Sequence, residues 1–106
     1  MQYVLMNVYL SENNQIEGRP AYEAVIMLLK ESKIAGATAF RGIEGYGVHS
    51  KIHTSGILRL CAELPIVVQV VEKEEKIKGI IPILREILPN ELIITQKIDV
   101  VSGDGL

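Results

Sequence analysis

Tryptophan is absent from this chain, and there is only one phenylalanine and one cysteine. With one cysteine, Cys61, no internal disulfide can form, which fits a reducing compartment. No apolar run reaches the roughly 18–20 residues that a membrane-spanning helix needs. The first residues are strand-like and lack the basic n-region and small-residue cleavage site of a signal peptide. No excess of positive charge exists, since the net charge is −2, so nothing basic argues for nucleic acid. These absences lead us to expect a cytoplasmic protein with no nucleic-acid partner and no membrane insertion. What is present is an aliphatic chain, 48% hydrophobic and 23% charged, which is a globular composition. At 106 residues it has room for one domain, residues 1–106, around one core.

Hydrophobic periodicity sets the order of elements. Val4, Met6, Val8 and Leu10 alternate with Tyr3, Leu5, Asn7 and Tyr9, the period of a strand. Ser11-Glu12-Asn13-Asn14 is a polar break. Pro20 suits the first turn of a helix, on which Ala21, Val25, Leu28 and Ser32 share a face, with Tyr22 and Leu29 beside them. Gly36 is the expected stop, and a second strand covers 37–43. Pro65 opens a third strand through Val71, and a second helix starts near Lys73. Ile77, Ile80, Ile81, Leu84 and Leu88 give that helix its face. Pro82 interrupts the pattern and predicts a kink or a late start. The fourth strand spans about 92–101.

The order β-α-β-β-α-β is the split βαβ, or ferredoxin-like, arrangement, an α+β fold with a four-stranded antiparallel sheet and two helices on one face. Several strands carry apolar side chains on both faces, and two helices cover only one. Other copies of the chain are the economical second cover, so a homo-oligomer is expected.

Chemistry concentrates in residues 41–53, which hold three glycines, both histidines, an arginine and a lysine. Gly42, Gly45 and Gly47 read G-x-x-G-x-G, which is neither the dinucleotide fingerprint nor a P-loop. Such glycines let backbone N–H groups approach an anion, or simply permit a tight path between strands. Arg41 can bind phosphate bidentately, and Lys51 can act as a mobile point charge. The bland alternative for Arg41 is a salt bridge to one of the thirteen carboxylates. His49 and His53 have H-x-x-x-H spacing, a zinc pair on a helix, with Cys61 or Glu63 as further ligands; the alternative is solvated loop histidines. Cys61 otherwise reads as a packed thiol, and Tyr9 and Tyr22 as packing residues. Glu72-Lys73-Glu74-Glu75-Lys76 reads as a solvated helix start. No nucleophile–base–orienter set is legible, so no catalysis is expected.

Phe40-Arg41-Gly42-Ile43-Glu44-Gly45-Tyr46-Gly47 resembles the YRG-x-x-GFG signature of small PII-like proteins long classed as a domain of unknown function. The segment from Glu63 to Glu72 resembles their DLPIVIEIVD strand. The similarity extends over nearly the whole chain, including Leu10-Ser11-Glu12 and the early helix. It implies a homotrimer related to the PII nitrogen-signalling proteins. It implies an adenine nucleotide, ATP, ADP or AMP, between adjacent subunits near the base of the loop after the second strand. By motif, Gly45, Tyr46 and Gly47 line that cleft, and Arg41 and Gly42 belong to the signature. His49 and Lys51 join the set by position and charge. The loop, about 47–58, then regulates a partner, by analogy a membrane transporter. A trimeric divalent-metal-binding protein of the cation-tolerance type, using His49 and His53, is the alternative. Two departures stand out. No tyrosine lies between Val48 and Leu64 for uridylylation-type control, and Lys97 is the last strand's only cation.

Overall fold

β1 (Tyr3–Ser11) buries every second residue, as its alternation predicts. In this computed structural model, residues 1–46 and 64–103 are described. β5 (Pro65–Lys73) pairs with β1 antiparallel along its whole length, from Tyr3 opposite Lys73 to Ser11 opposite Pro65. β4 (Ala37–Arg41) flanks β5, and β6 (Ile93–Ile98) flanks β1, both antiparallel. The sheet order β4-β5-β1-β6 is that of the ferredoxin-like fold.

Val4, Met6, Val8 and Leu10 of β1 and Ile66, Val68 and Val70 of β5 form the covered face. Onto it pack Ala21, Val25 and Leu29 of α1 (Ala21–Glu31) and Ile77, Ile80 and Leu84 of α2 (Glu74–Ile87). Leu29, rather than Leu28, is the fully buried leucine of α1; Leu28 is half-buried at the stripe's margin. The opposite sheet face carries Tyr3, Leu5, Asn7 and Tyr9 of β1, all half-buried, and has no layer over it among the described residues.

Several boundaries differ from expectation for identifiable reasons. α1 ends well before Gly36. Lys33 takes the left-handed conformation (φ 62°), its N–H donates to the Lys30 carbonyl, and Ile34 N–H donates to Leu29 O at 3.0 Å. This is a Schellman termination with lysine where glycine is usual. The buried side chain of Ile34 supplies the accompanying hydrophobic contact. α2 starts at Glu74 and runs through Pro82, so no late start occurs; the proline is exposed, on the solvent side. β4 stops at Arg41 and β6 at Ile98, each shorter than expected. A small hairpin, β2 (Gln15–Ile16) with β3 (Arg19–Pro20), lies where only a break was legible. Its two-residue turn has Glu17 at φ 50° and Gly18 at φ 81°, the signs of a type I′ turn.

Glu72 is the largest correction. It closes the covered row of β5 and is only 1% exposed, so it is no part of a solvated helix start. One carboxylate oxygen accepts Ala35 N–H at 2.8 Å and the other Lys73 N–H at 2.9 Å, while Lys76 Nζ lies 3.8 Å away. Burial pushes its pKa up. The hydrogen bonds from Lys73 and Ala35, with the charges of Lys76 and Lys73, outweigh this and hold it below the ordinary 4.5. Glu72 thus pins the α1–β4 connection to the sheet.

Candidate functional site

Edge strand β4 ends at Arg41 and β5 begins at Pro65, and the residues at these two points are tightly tied. Gly42 N–H donates to Pro65 O at 2.7 Å. A Cβ on Gly42 would lie 2.6 Å from Pro65 Cγ, and one on Gly45 would lie 3.1 Å from it. The close passage of the backbone over the Pro65 ring therefore leaves no room for a side chain at Gly42 and little at Gly45, which is the geometric reason weighed against ligand contact. Glu12 N–H donates to Leu64 O at 2.9 Å, so the turn after β1 fastens the returning strand as well.

Arg41 is the last residue of β4, opposite Ile66. Its Nε lies 2.7 Å from Glu12 Oε1, with both side chains partly exposed. This is the salt bridge offered as the alternative to phosphate binding, and it holds the guanidinium at the loop base. The remaining guanidinium N–H groups have the fork geometry for an anion. Beyond Arg41, Ile43 is 96% exposed and Tyr46 84% exposed, and Phe40 is half-exposed on the uncovered sheet face opposite Val67. Three exposed or half-exposed apolar side chains thus lie within five residues of Arg41 where β4 ends.

Among the expected site residues, Arg41, Gly42, Gly45 and Tyr46 come together here. Gly47, His49, Lys51 and His53 lie outside the described residues, as do Cys61 and Glu63. Among the described residues, no group of three His, Cys, Asp or Glu side chains is placed to hold a metal. Nor is any described helix long and apolar enough to cross a membrane.

A separate cavity of about 260 Å³ opens at the other edge of the sheet, between the end of α2 and β6. Ile81, Arg85, Leu88 and Ile93 line it together with Glu91 and Thr95. Sequence reasoning did not find it, because it depends on how α2 ends against β6. Nor did it find Glu12 as the partner of Arg41, or Pro65 as the seat of the glycines. The Pro65 contact had a signal in the chain: a proline opening the strand that must pair with the glycine-rich segment.

The class of protein is defined by this architecture: an α+β ferredoxin-like domain with a glycine-cinched connection between its second and third long strands. The chain belongs to the DUF190 family, described as "Uncharacterized ACR, COG1993", which it matches over residues 3–100. That family is PII-like, in agreement with the two motifs. The chain is similar to a UPF0166 protein of Methanocaldococcus jannaschii, with 36% identity over 101 residues, covering 94% of this chain and 93% of that one. It is also similar to two UPF0166 proteins of Aquifex aeolicus. One is 39% identical over 74 residues, 70% of each chain. The other is 34% identical over 100 residues, 94% of this chain and 98% of that protein.

Proposed function

We propose that this protein is a PII-like signal-transduction protein without enzymatic activity. It works as a cytoplasmic homotrimer that binds an adenine nucleotide between subunits and regulates a protein partner, such as a membrane transporter, through the loop after β4. The observation that carries this reading is the base of that loop. Gly42 and Gly45 pack on Pro65, and Arg41, paired with Glu12, lies in the same short stretch as the exposed Ile43 and Tyr46. A guanidinium next to an exposed aromatic suits a ligand with a phosphate and a flat base.

Two further features support an intersubunit site. The loop base sits at edge strand β4 and the cavity at edge strand β6, with two strands between them. A ligand touching both must lie between copies, where Arg85 and Lys97 of one subunit add positive charge. The uncovered sheet face gives the copies a surface on which to associate. Gly45 and Tyr46 then line the cleft and Arg41 and Gly42 form its floor; Gly47, His49 and Lys51, assigned to the nucleotide from the sequence, lie outside the described residues. A nucleotide changes what the partner meets by contacts made only in the bound state.

The test is a thermal-shift and calorimetric screen with ATP, ADP, AMP and cyclic nucleotides, alongside zinc and copper. Saturable stabilisation by an adenine nucleotide, weakened in Arg41→Ala, is the expected result. Stabilisation by metal alone, lost in His49→Ala, would replace this reading with a metal-binding trimer.

A further inference from the structure

One buried side-chain polar atom is left without a hydrogen-bond partner among the described residues: Oδ1 of Asn7. Buried acceptors of this kind are rare and call for an explanation. Asn7 lies at the middle of β1 on the uncovered sheet face. It sits directly opposite Gln69 of β5 on one side and Ile94 of β6 on the other. Around these two amides the face is mostly apolar, with Leu5, Tyr9, Val67, Val71 and Phe40, while Thr38 opposite Gln69 and Gln96 opposite Leu5 are its other uncharged polar side chains near them. Lys73, at its end, is the only charged residue that the four strands place on it, and they place no carboxylate there.

We infer that Asn7 and Gln69 form the polar lock of a contact between copies of this chain, in which Asn7 Oδ1 accepts an amide N–H from Asn7 or Gln69 of the partner subunit. This rests on the self-association proposed above and names the residues that give it register. Three observations favour a second copy as the occupant. Amides carry both donors and acceptors, so copies of the same pair satisfy one another, which ionised carboxylates, being acceptors only, cannot do. The face is nearly free of charge although the chain has thirteen acids, so like meets like without repulsion. At strand spacings of about 4.8 Å and rises of about 3.4 Å, the paired strands offer on the order of 500 Å² per copy. In the proposed trimer three such faces meet, ~1,500 Å² in all, within the range of specific assemblies. A buried amide in an otherwise apolar contact costs stability and selects one register and one stoichiometry, as a single buried asparagine does in coiled coils.

The experiment compares wild type, Asn7→Asp and Asn7→Leu by native mass spectrometry and sedimentation, with circular dichroism to confirm folding. Wild type gives one stoichiometry. Asn7→Asp sets carboxylates against each other, so association weakens by at least ~100-fold at pH 7 and returns below about pH 4. Asn7→Leu, which keeps the face apolar, stays associated but in more than one stoichiometry. If wild type is oligomeric and both variants assemble exactly as it does, the lock is refuted while the oligomer stands. If Asn7→Asp does not fold, a single unchanged stoichiometry in Asn7→Leu refutes it alone. A wild-type monomer at 100 μM, a concentration well above a ~μM Kd, removes both readings and assigns the face to a different partner.

Discussion

Arg41 Nε and Glu12 Oε1 are 2.7 Å apart, joining the end of β4 to the turn that follows β1. This carboxylate occupies the position beside the guanidinium that an anionic ligand would seek. The same turn holds the returning strand through Glu12 N–H and Leu64 O. Charge and backbone at the loop base are therefore coupled through Glu12.

Arg41→Ala is expected to weaken adenine-nucleotide binding by more than tenfold, about 1.4 kcal/mol. Glu12→Gln is expected to tighten it several-fold, because a competing carboxylate is removed and the half-exposed pair itself contributes only ~0–1 kcal/mol to stability. Isothermal titration of both variants checks this. Unchanged affinity in a folded, oligomeric Arg41→Ala takes Arg41 out of the site.

Gly42→Ala forces a methyl group against the Pro65 ring, where the distance to Cγ is 2.6 Å. The expected loss is about 1–3 kcal/mol, the range for overpacking. Gly45→Ala, at 3.1 Å, should cost less. Adding Pro65→Ala to Gly42→Ala should recover part of the loss, and thermal denaturation of the double variant decides whether the ring is the cause.

Lys33→Gly should raise stability by about 0.5–1 kcal/mol, because lysine at φ 62° holds a left-handed conformation that glycine adopts without penalty. Urea unfolding measures it. A drop in stability would mean that the Lys33 side chain makes a contribution larger than the backbone cost.

Glu72 has a folded-state pKa below 4.5, so its stabilisation is complete above that value and is lost as pH falls through the folded pKa. Wild type should therefore weaken with acid below about pH 4.5, the upper end of that window. Glu72→Gln should lose about 1–3 kcal/mol at pH 7, since an amide accepts fewer of these hydrogen bonds and adds a buried donor. Its stability should then vary less with pH than wild type does across the acid range. Equal acid dependence in the two proteins would rule out Glu72 as the titrating group.

Much of the fold was legible because its long strands and helices bury strictly periodic sets, such as Val4-Met6-Val8-Leu10 and Ile77-Ile80-Leu84. The order of the long elements followed from these. Less legible were the points where one residue answers to a distant one. Glu72 stands in a charged run, yet its place in the alternation after Ile66, Val68 and Val70 puts it on the covered face. Lys33 terminates α1 because Ile34 is drawn into the core, which composition alone does not show. At the loop base the motif located Arg41 and the glycines, but their contacts with Glu12 and Pro65 depend on strand pairing. The tight path of Gly42 and Gly45 over Pro65 has a packing reason, and it leaves Arg41 and Tyr46 as the side chains on which the proposed ligand binding would turn.

Native mass spectrometry of the protein titrated with ATP, ADP and AMP tests the central proposal most directly. The account predicts a trimer that takes up as many as three nucleotides, one per intersubunit cleft. A monomer, or a trimer that binds none of them at millimolar concentration, would contradict it.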